Sequence, residues 1–277
     1  MSGGVDSSVA ACLLVEQGYE VLGLFMRSGV KAAEVRSLRP SPLKGEGVLG
    51  LDLKVEVCTT ARTEATVAPR PHQGCCSASD AADARFVAGK LGIPFYSLNF
   101  EAEFDELIDH IVDEYARGRT PNPCIVCNNK LKFGKIVEYA DAVGAQYIAT
   151  GHYARIERGD DGASSGMQEP SPLPSPWEGE GVRAPRSKLL RGVDAAKDQS
   201  YVLFGVDRRV LDRVLLPVGH FTKPQVREIA ARYDLPNRNK PDSVEICFVP
   251  DRNYARLVRE RRPEAFAAGE VVESGTG

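Results

Sequence analysis

Met1-Ser2-Gly3-Gly4-Val5-Asp6-Ser7-Ser8 decides how the rest of this chain is read. Two adjacent glycines let the backbone pass close to a phosphate, and the serines place hydroxyl donors where an apolar helix begins. That helix runs through Val9, Cys12, Leu13 and Leu14 to a stop at Gly18, so its first amides point into the loop. The result is an anion seat. It is not a Walker A loop, because GxxxxGK[ST] is absent and no lysine lies nearby in the sequence.

Working outward, residues 19–26 form a continuous apolar run that predicts a strand buried on both faces. A strand normally precedes such a loop; here either the start is misassigned or the first strand is missing, and the second reading leaves the loop without its usual anchor. From about 31 to 73 regular patterning stops. Residues 40–48 and 170–182 share PSPL and GEGV, so two low-complexity inserts are expected, at about 31–73 and 160–186, as surface loops with Trp177 exposed. Order resumes with a helix through Ala82, Phe86, Val87 and Leu91, then a strand at 94–99. Phe104, Leu107, Ile108, Ile111, Val112 and Tyr115 make the clearest helical stripe, with His110 one position off it.

Residues 120–128, TPNPCIVCN, are a second chemical centre. Two prolines hold the segment extended and a helix is expected to begin close to Cys127. A cysteine at a helix N-terminus, with Lys130 and Lys132 in the next turn, has the surroundings of a reactive thiolate. A zinc half-site and an inert pair are the other readings of this CxxC; the second pair a zinc site needs is poorly matched by the adjacent Cys75 and Cys76. Residues 146–153 read as a strand ending in a glycine turn, which puts Gly151 and His152 at the ligand-binding end of an α/β sheet; His152 reads equally as a hydrogen-bonded turn residue. Lys197, Asp198 and Gln199 open a helix after a further strand at 187–192. Thr222 caps another helix, and Arg252, Arg256, Arg259, Arg261 and Arg262 line one face of the last, either a solvated surface or a phosphate-contacting patch. Cys247, among apolar neighbours, reads by itself as a small core residue.

Composition sets outer limits. The chain has 277 residues, 43% of them hydrophobic, and a net charge of −3, so a nucleic acid would be held by a local basic patch. Seven cysteines, with no signal-like start and no apolar run of membrane-spanning length, point to a reducing cytoplasm, thiol or metal chemistry, and no membrane.

SGGVDSS, TPNPCxxCN and DSxxICF in this order, with GHY at 151–153 and KDQS at 197–200, resemble the tRNA-specific 2-thiouridylases of the MnmA type, within the PP-loop ATP pyrophosphatases. The resemblance covers nearly all of the chain outside the two inserts. It implies an α/β fold with a doubly wound, mostly parallel sheet over 1–204, a small helical domain over 205–267, and at 268–277 the start of a C-terminal β-barrel that is missing. It implies ATP at Met1, Ser2, Gly3, Gly4, Val5, Asp6, Ser7 and Ser8, with Met26 and Gly151 beside the adenosine and Mg²⁺ bridging the phosphates. It implies that O2 of the wobble uridine is adenylated, that Cys247 carries a persulfide and Cys127 is the nucleophile, and that the two end as a disulfide. Asn122, Pro123, Cys124, Lys197, Asp198 and Gln199 match tRNA-contacting segments. A cysteine desulfurase and a sulfur-relay protein would supply sulfur to a monomeric enzyme. Cys124 stands where the family often has an acidic residue, so no acid–base role carries over there. Other readings stay open: a truncated, catalytically silent nucleotide-binding fragment, a PP-loop enzyme with another substrate, or a zinc-bound RNA-binding module.

Overall fold

A computed structural model describes residues 1–28, 78–158, 187–242, 246–249 and 253–266. Both inserts, with Trp177, Cys75 and Cys76, and the start of the expected barrel lie outside them. The N-terminal loop feeds α1 (Val5–Glu16), which is buried all round, from Ser8 to Leu14 without interruption, so it is a central helix and not a surface one. Gly18, at φ +84°, ends it. Next come β1 (Gly23–Arg27), α2 (Ala78–Leu91), β2 (Phe95–Asn99) and α3 (Glu101–Ala116). The apolar stripe predicted from 104 to 115 is the face α3 buries, through Phe104, Leu107, Ile111 and Val112.

The CxxC segment differs from expectation. Asn122 accepts hydrogen bonds from the amides of Cys124 and Ile125, at 3.0 and 3.3 Å, with Pro123 in the first helical turn. The helix α4 (Pro123–Cys127) therefore starts before Cys127 and continues through a π-helical stretch, Asn128–Lys135, into α5 (Ile136–Ala142). The helix N-terminus belongs to Cys124, which is exposed, and Cys127 sits at the end of α4.

After β3 (Ile148–Ala149) the chain forms β4 (Ala154–Glu157) and β5 (Lys188–Arg191), an antiparallel pair whose connection contains residues 159–186. Residues 197–200 do not open a helix as expected; they form a turn leading into a short 3₁₀ segment, Ser200–Val202. Then follow α6 (Arg208–Leu211), β6 (Val214–Leu215), α7 (Lys223–Arg232) and α8 (Tyr254–Arg261). At the start of α7, Gln225 Oε1 accepts from the Thr222 amide at 2.8 Å.

The fold is of the mixed α/β type, and its parallel pairing is the kind expected. β1 pairs with β2 and β3 with β6 in parallel. Among the described residues, however, the strands form three separate pairs and not one sheet. β1 and β3 face a common cavity, lined by Leu24 on one side and Ile148 on the other, and no described strand bridges it. Residues on either side of position 204 share their cores: Val5, Val9 and Leu13 of α1 pack with Val226 and Ala230 of α7, and Ile148 packs with Val214 of β6. Arg261 reaches Asp105 and Asp109 at 3.0 and 2.9 Å and Arg262 reaches Asp113 at 2.9 Å, so these members of the basic helix face dock α8 on the acidic edge of α3.

Candidate functional site

The N-terminal loop is held from three sides. The Met1 amino group donates to the Leu24 carbonyl of β1; burial, helped by Lys132, lowers its pKa to about 5, so at neutral pH it donates as an uncharged amine. Gly3 O accepts from Asn237 Nδ2 at 3.0 Å and from Lys240 Nζ at 3.2 Å, and Lys240 also grips Asp80 and Asp83 of α2 at 2.5 and 2.6 Å. Gly3 adopts φ +74°, and a Cβ there would come within 2.3 Å of the Asp80 carbonyl, so glycine is required on both counts. These contacts tie the loop to β1, to α2 and to the segment after α7.

Within the loop, Ser7 Oγ accepts from the Ser2 amide at 3.0 Å and donates to Gly4 O at 3.2 Å. Ser8 is fully buried; its Oγ donates to Gly4 O and accepts from Asn237, both at 2.9 Å. No side chain caps α1. Its first-turn amides thus keep the arrangement that binds anions. Met1, Ser2, Gly4, Val5, Asp6 and Ser7 line the cavity, whose volume is about 1620 Å³, whereas Gly3 and Ser8 lie behind its wall. Gly151 lies directly against the loop: a Cβ there would meet Ser7 N at 2.6 Å and the Asp6 carbonyl carbon at 2.7 Å.

Asp6 is the electrostatic centre. Its Oδ1 accepts from Tyr153 Oη at 2.7 Å, and Lys223 Nζ lies 2.7 and 2.9 Å from its two oxygens. The same ammonium is 2.7 Å from Asp242, which also receives Lys197 at 2.8 Å. Burial works against the charged Asp242 carboxylate, but Lys197 and Lys223 outweigh it and hold its pKa below the ordinary value. Burial and the Asp6 carboxylate push the Tyr153 phenol up. The sequence shows no lysine near this loop; folding brings Lys223 and Lys240 onto it from more than 200 residues away. A KPDS segment followed by ICF was the available signal for Lys240 and Asp242. Lys223 gave none, since a lysine opening an ordinary capped helix is unremarkable.

Across the cavity stand the thiols. Cys124, Cys127 and Cys247 all line it, and Cys127 and Cys247 pack against one cluster built on Leu98, Phe104, Leu107 and Leu131. None of the three is in a disulfide. The expectation that Cys247 is merely core is thus modified: it packs on the core but opens to the same cavity as Asp6. Met26, Pro123, Lys197 and Gln199 share the lining; Asn122 and Asp198 do not. Asp198 instead fixes its own turn, accepting from the Gly192 amide at 2.9 Å and the Ser200 hydroxyl at 2.8 Å. His152 is buried and 2.8 Å from Thr150 Oγ1, and burial with nearby Lys132 lowers its pKa well below the ordinary value, so it is a neutral turn residue. Cys12 lies inside α1, where burial raises its thiol to about 11. Among the described residues no three His, Cys, Asp or Glu side chains converge as a metal site, and no helix is long and apolar enough to cross a membrane.

A glycine-rich loop feeding a buried helix, with parallel strand pairs beside it, defines an α/β domain whose first helix opens uncapped toward a cavity. The sequence matches the family described as tRNA methyl transferase HUP domain over residues 1–46 and 42–251, and the chain belongs to that family. Three similar proteins are each named tRNA-specific 2-thiouridylase MnmA: one from Rhodopirellula baltica, 44% identical over 277 residues, one from Carboxydothermus hydrogenoformans, 42% over 274, and one from Symbiobacterium thermophilum, 41% over 275. The matches cover 99% of this chain and 62%, 60% and 57% of the respective relatives, so the chain spans about three-fifths of their length.

Proposed function

We propose that this chain is the nucleotide-binding, cysteine-bearing part of an enzyme that replaces O2 of the wobble uridine of a tRNA with sulfur. The observation that carries the reading is one cavity whose wall holds an uncapped helix N-terminus with Asp6, and also Cys127 and Cys247. Anion binding and thiol chemistry in a shared space are what an activated-oxygen-for-sulfur exchange needs. The relatives' names supply the substrate, and they name thiolation where the family's description names methyl transfer.

The cradle fits a nucleotide's phosphates: the uncapped first amides of α1 open to the cavity beside Gly4, and Gly151 packs its backbone directly on Asp6 and Ser7. ATP bound there supplies the activation, converting O2 into an AMP leaving group with release of pyrophosphate. Mg²⁺ suits the oxygen donors of Asp6, which Lys223 engages in this structure. The remaining steps fall to the chain's own side chains. The terminal sulfur of a Cys247 persulfide forms a bond to C2 as the C2–O bond to AMP breaks. Cys127 thiolate then attacks Cys247 Sγ, the S–S bond to the uridine breaks, and its electron pair stays on the thiocarbonyl sulfur. A Cys127–Cys247 disulfide remains and is reduced by an external dithiol. Hydrosulfide released from the persulfide by Cys127 gives the same balance. Sulfur enters as a persulfide from a desulfurase and relay protein, in the reducing cytoplasm that keeps both thiols usable. The parallel pairs β1·β2 and β3·β6 support a doubly wound arrangement around the loop.

The test is sulfur transfer to unmodified tRNA with Mg·ATP and a persulfide donor, reading 2-thiouridine by mass spectrometry. Product from the wild-type chain and none from Cys127→Ala or Cys247→Ala is expected. Thiolation that survives Cys247→Ala would remove the relay.

A further inference from the structure

Tyr201 and Phe204 stand 61% and 71% exposed, although aromatic rings ordinarily gain by burial. They do not belong to a loose segment. Val202 and Leu203 between them are buried in the cluster that includes Phe133, Ala154 and Leu216. Asn128 Nδ2 donates to Val202 O at 3.1 Å. Gln199 and Tyr153 exchange two hydrogen bonds: the Gln199 amide donates to Tyr153 O at 2.8 Å, and Gln199 Oε1 accepts from the Tyr153 amide at 3.0 Å. Gly205 lies so near the Asn129 amide that a Cβ would come within 2.3 Å of its Nδ2. The turn is therefore clamped on both sides, and one clamp is the residue that follows Cys127. Tyr201 itself lines the cavity.

We propose that Tyr201 and Phe204 form a fixed stacking platform for the nucleobases next to the one being modified. This rests on the reading of the chain as an RNA-modifying enzyme. A base inside a stack cannot present C2 to two thiols; it must swing out, and its neighbours then lose a stacking partner. An exposed ring on a rigid turn replaces that partner with little entropy lost on binding, and it tolerates any base because every base has a π face. The surroundings fit RNA better than a protein partner. Arg191, with its side chain 88% exposed, lies 4.0 Å from Asp198 of the same turn, Lys197 is close by in the chain, and Arg208 and Arg209 follow Phe204 as exposed residues opening α6. Cations around isolated rings suit a phosphate backbone with splayed bases, whereas a protein hot spot sits inside a contiguous apolar patch.

The experiment uses an RNA stem-loop carrying unmodified uridine in its loop with 2-aminopurine beside it. Fluorescence quenching on binding reports stacking, and ATP binding is measured on the same samples. Each ring removed, as Tyr201→Ala or Phe204→Ala, should weaken RNA binding about 10-fold and reduce quenching, with ATP affinity unchanged in Phe204→Ala, whose ring lies outside the cavity lining. Tyr201→Phe should restore both and Tyr201→Leu neither. Full affinity and quenching in the double alanine variant would overturn the platform while leaving the thiolation reading intact. A wild-type chain that binds ATP but no RNA would overturn that reading as well. Loss of binding to a persulfide-donor protein, with RNA binding unchanged, would assign the rings to a protein partner instead.

Discussion

Replacing Lys223 by methionine removes one ammonium from between two carboxylates while keeping most of the side-chain volume. Lys223 is 8% exposed and its Nζ lies 2.7 Å from both Asp6 and Asp242. At an effective dielectric of about 20, each contact is worth about 6 kcal/mol of attraction, most of it offset by the dehydration of the ammonium. Breaking a buried pair by removing one partner typically costs about 3–5 kcal/mol. Asp6 and Asp242 keep 31% and 27% of their side-chain surface in water, which screens the charge left behind, so the expected loss at pH 7 is ~2 kcal/mol. The pH dependence separates this from lost packing. The wild-type Asp242 carboxylate is held below its ordinary pKa, so its contribution is present above that value and lost as pH falls through the lowered one. In Lys223→Met the Asp242 carboxylate keeps only Lys197 of the two ammoniums that hold its pKa down, so less of this stability is left for acid to remove. Urea unfolding at pH 7 and at about pH 2.5, below the ordinary carboxylate value, should show the gap between variant and wild type narrowing to under ~1 kcal/mol at the lower pH. An equal gap at both values would refute the electrostatic account and leave only packing.

Gly151→Ala should lose about 1–3 kcal/mol in a thermal melt and weaken ATP binding more than 10-fold in calorimetry, because the new methyl meets the main chain of Asp6 and Ser7 under 3 Å away. His152, neutral and buried, takes no proton in the folded state at a pH where the unfolded chain does, so stability should fall as pH drops below about 6.5 and stay level above it; His152→Asn should flatten that slope in urea titrations. With iodoacetamide at pH 8, peptide mapping should show Cys124 alkylated long before Cys12, whose thiol is buried and raised to about 11.

Local signals carried much of the site and little of the assembly. The SGGVDSS loop with its helix and the α3 stripe were readable because backbone freedom at glycine and a 3.6-residue period act over short range. Both thiols were readable as chemistry, Cys127 from its CxxC and Cys247 through the motif around it. The start of α4 was misjudged because the prolines were read as extending the chain, while Asn122 uses Pro123 as a first helical residue. The helix expected to open at 197–200 is a turn instead, because Asp198 ties that turn back to Gly192. Lys223 and the Asn237 clamp on Gly3 were invisible, since contacts across more than 200 residues leave no periodicity in the chain.

The most direct measurement is a single turnover on tRNA without reductant, starting from Cys247 persulfide and Mg·ATP, with 2-thiouridine and the Cys127–Cys247 disulfide quantified in the same sample. The account predicts that the two appear together, one for one, and only when ATP is present. Thiouridine formed with both thiols still reduced, or a disulfide that accumulates without ATP or RNA, would contradict it.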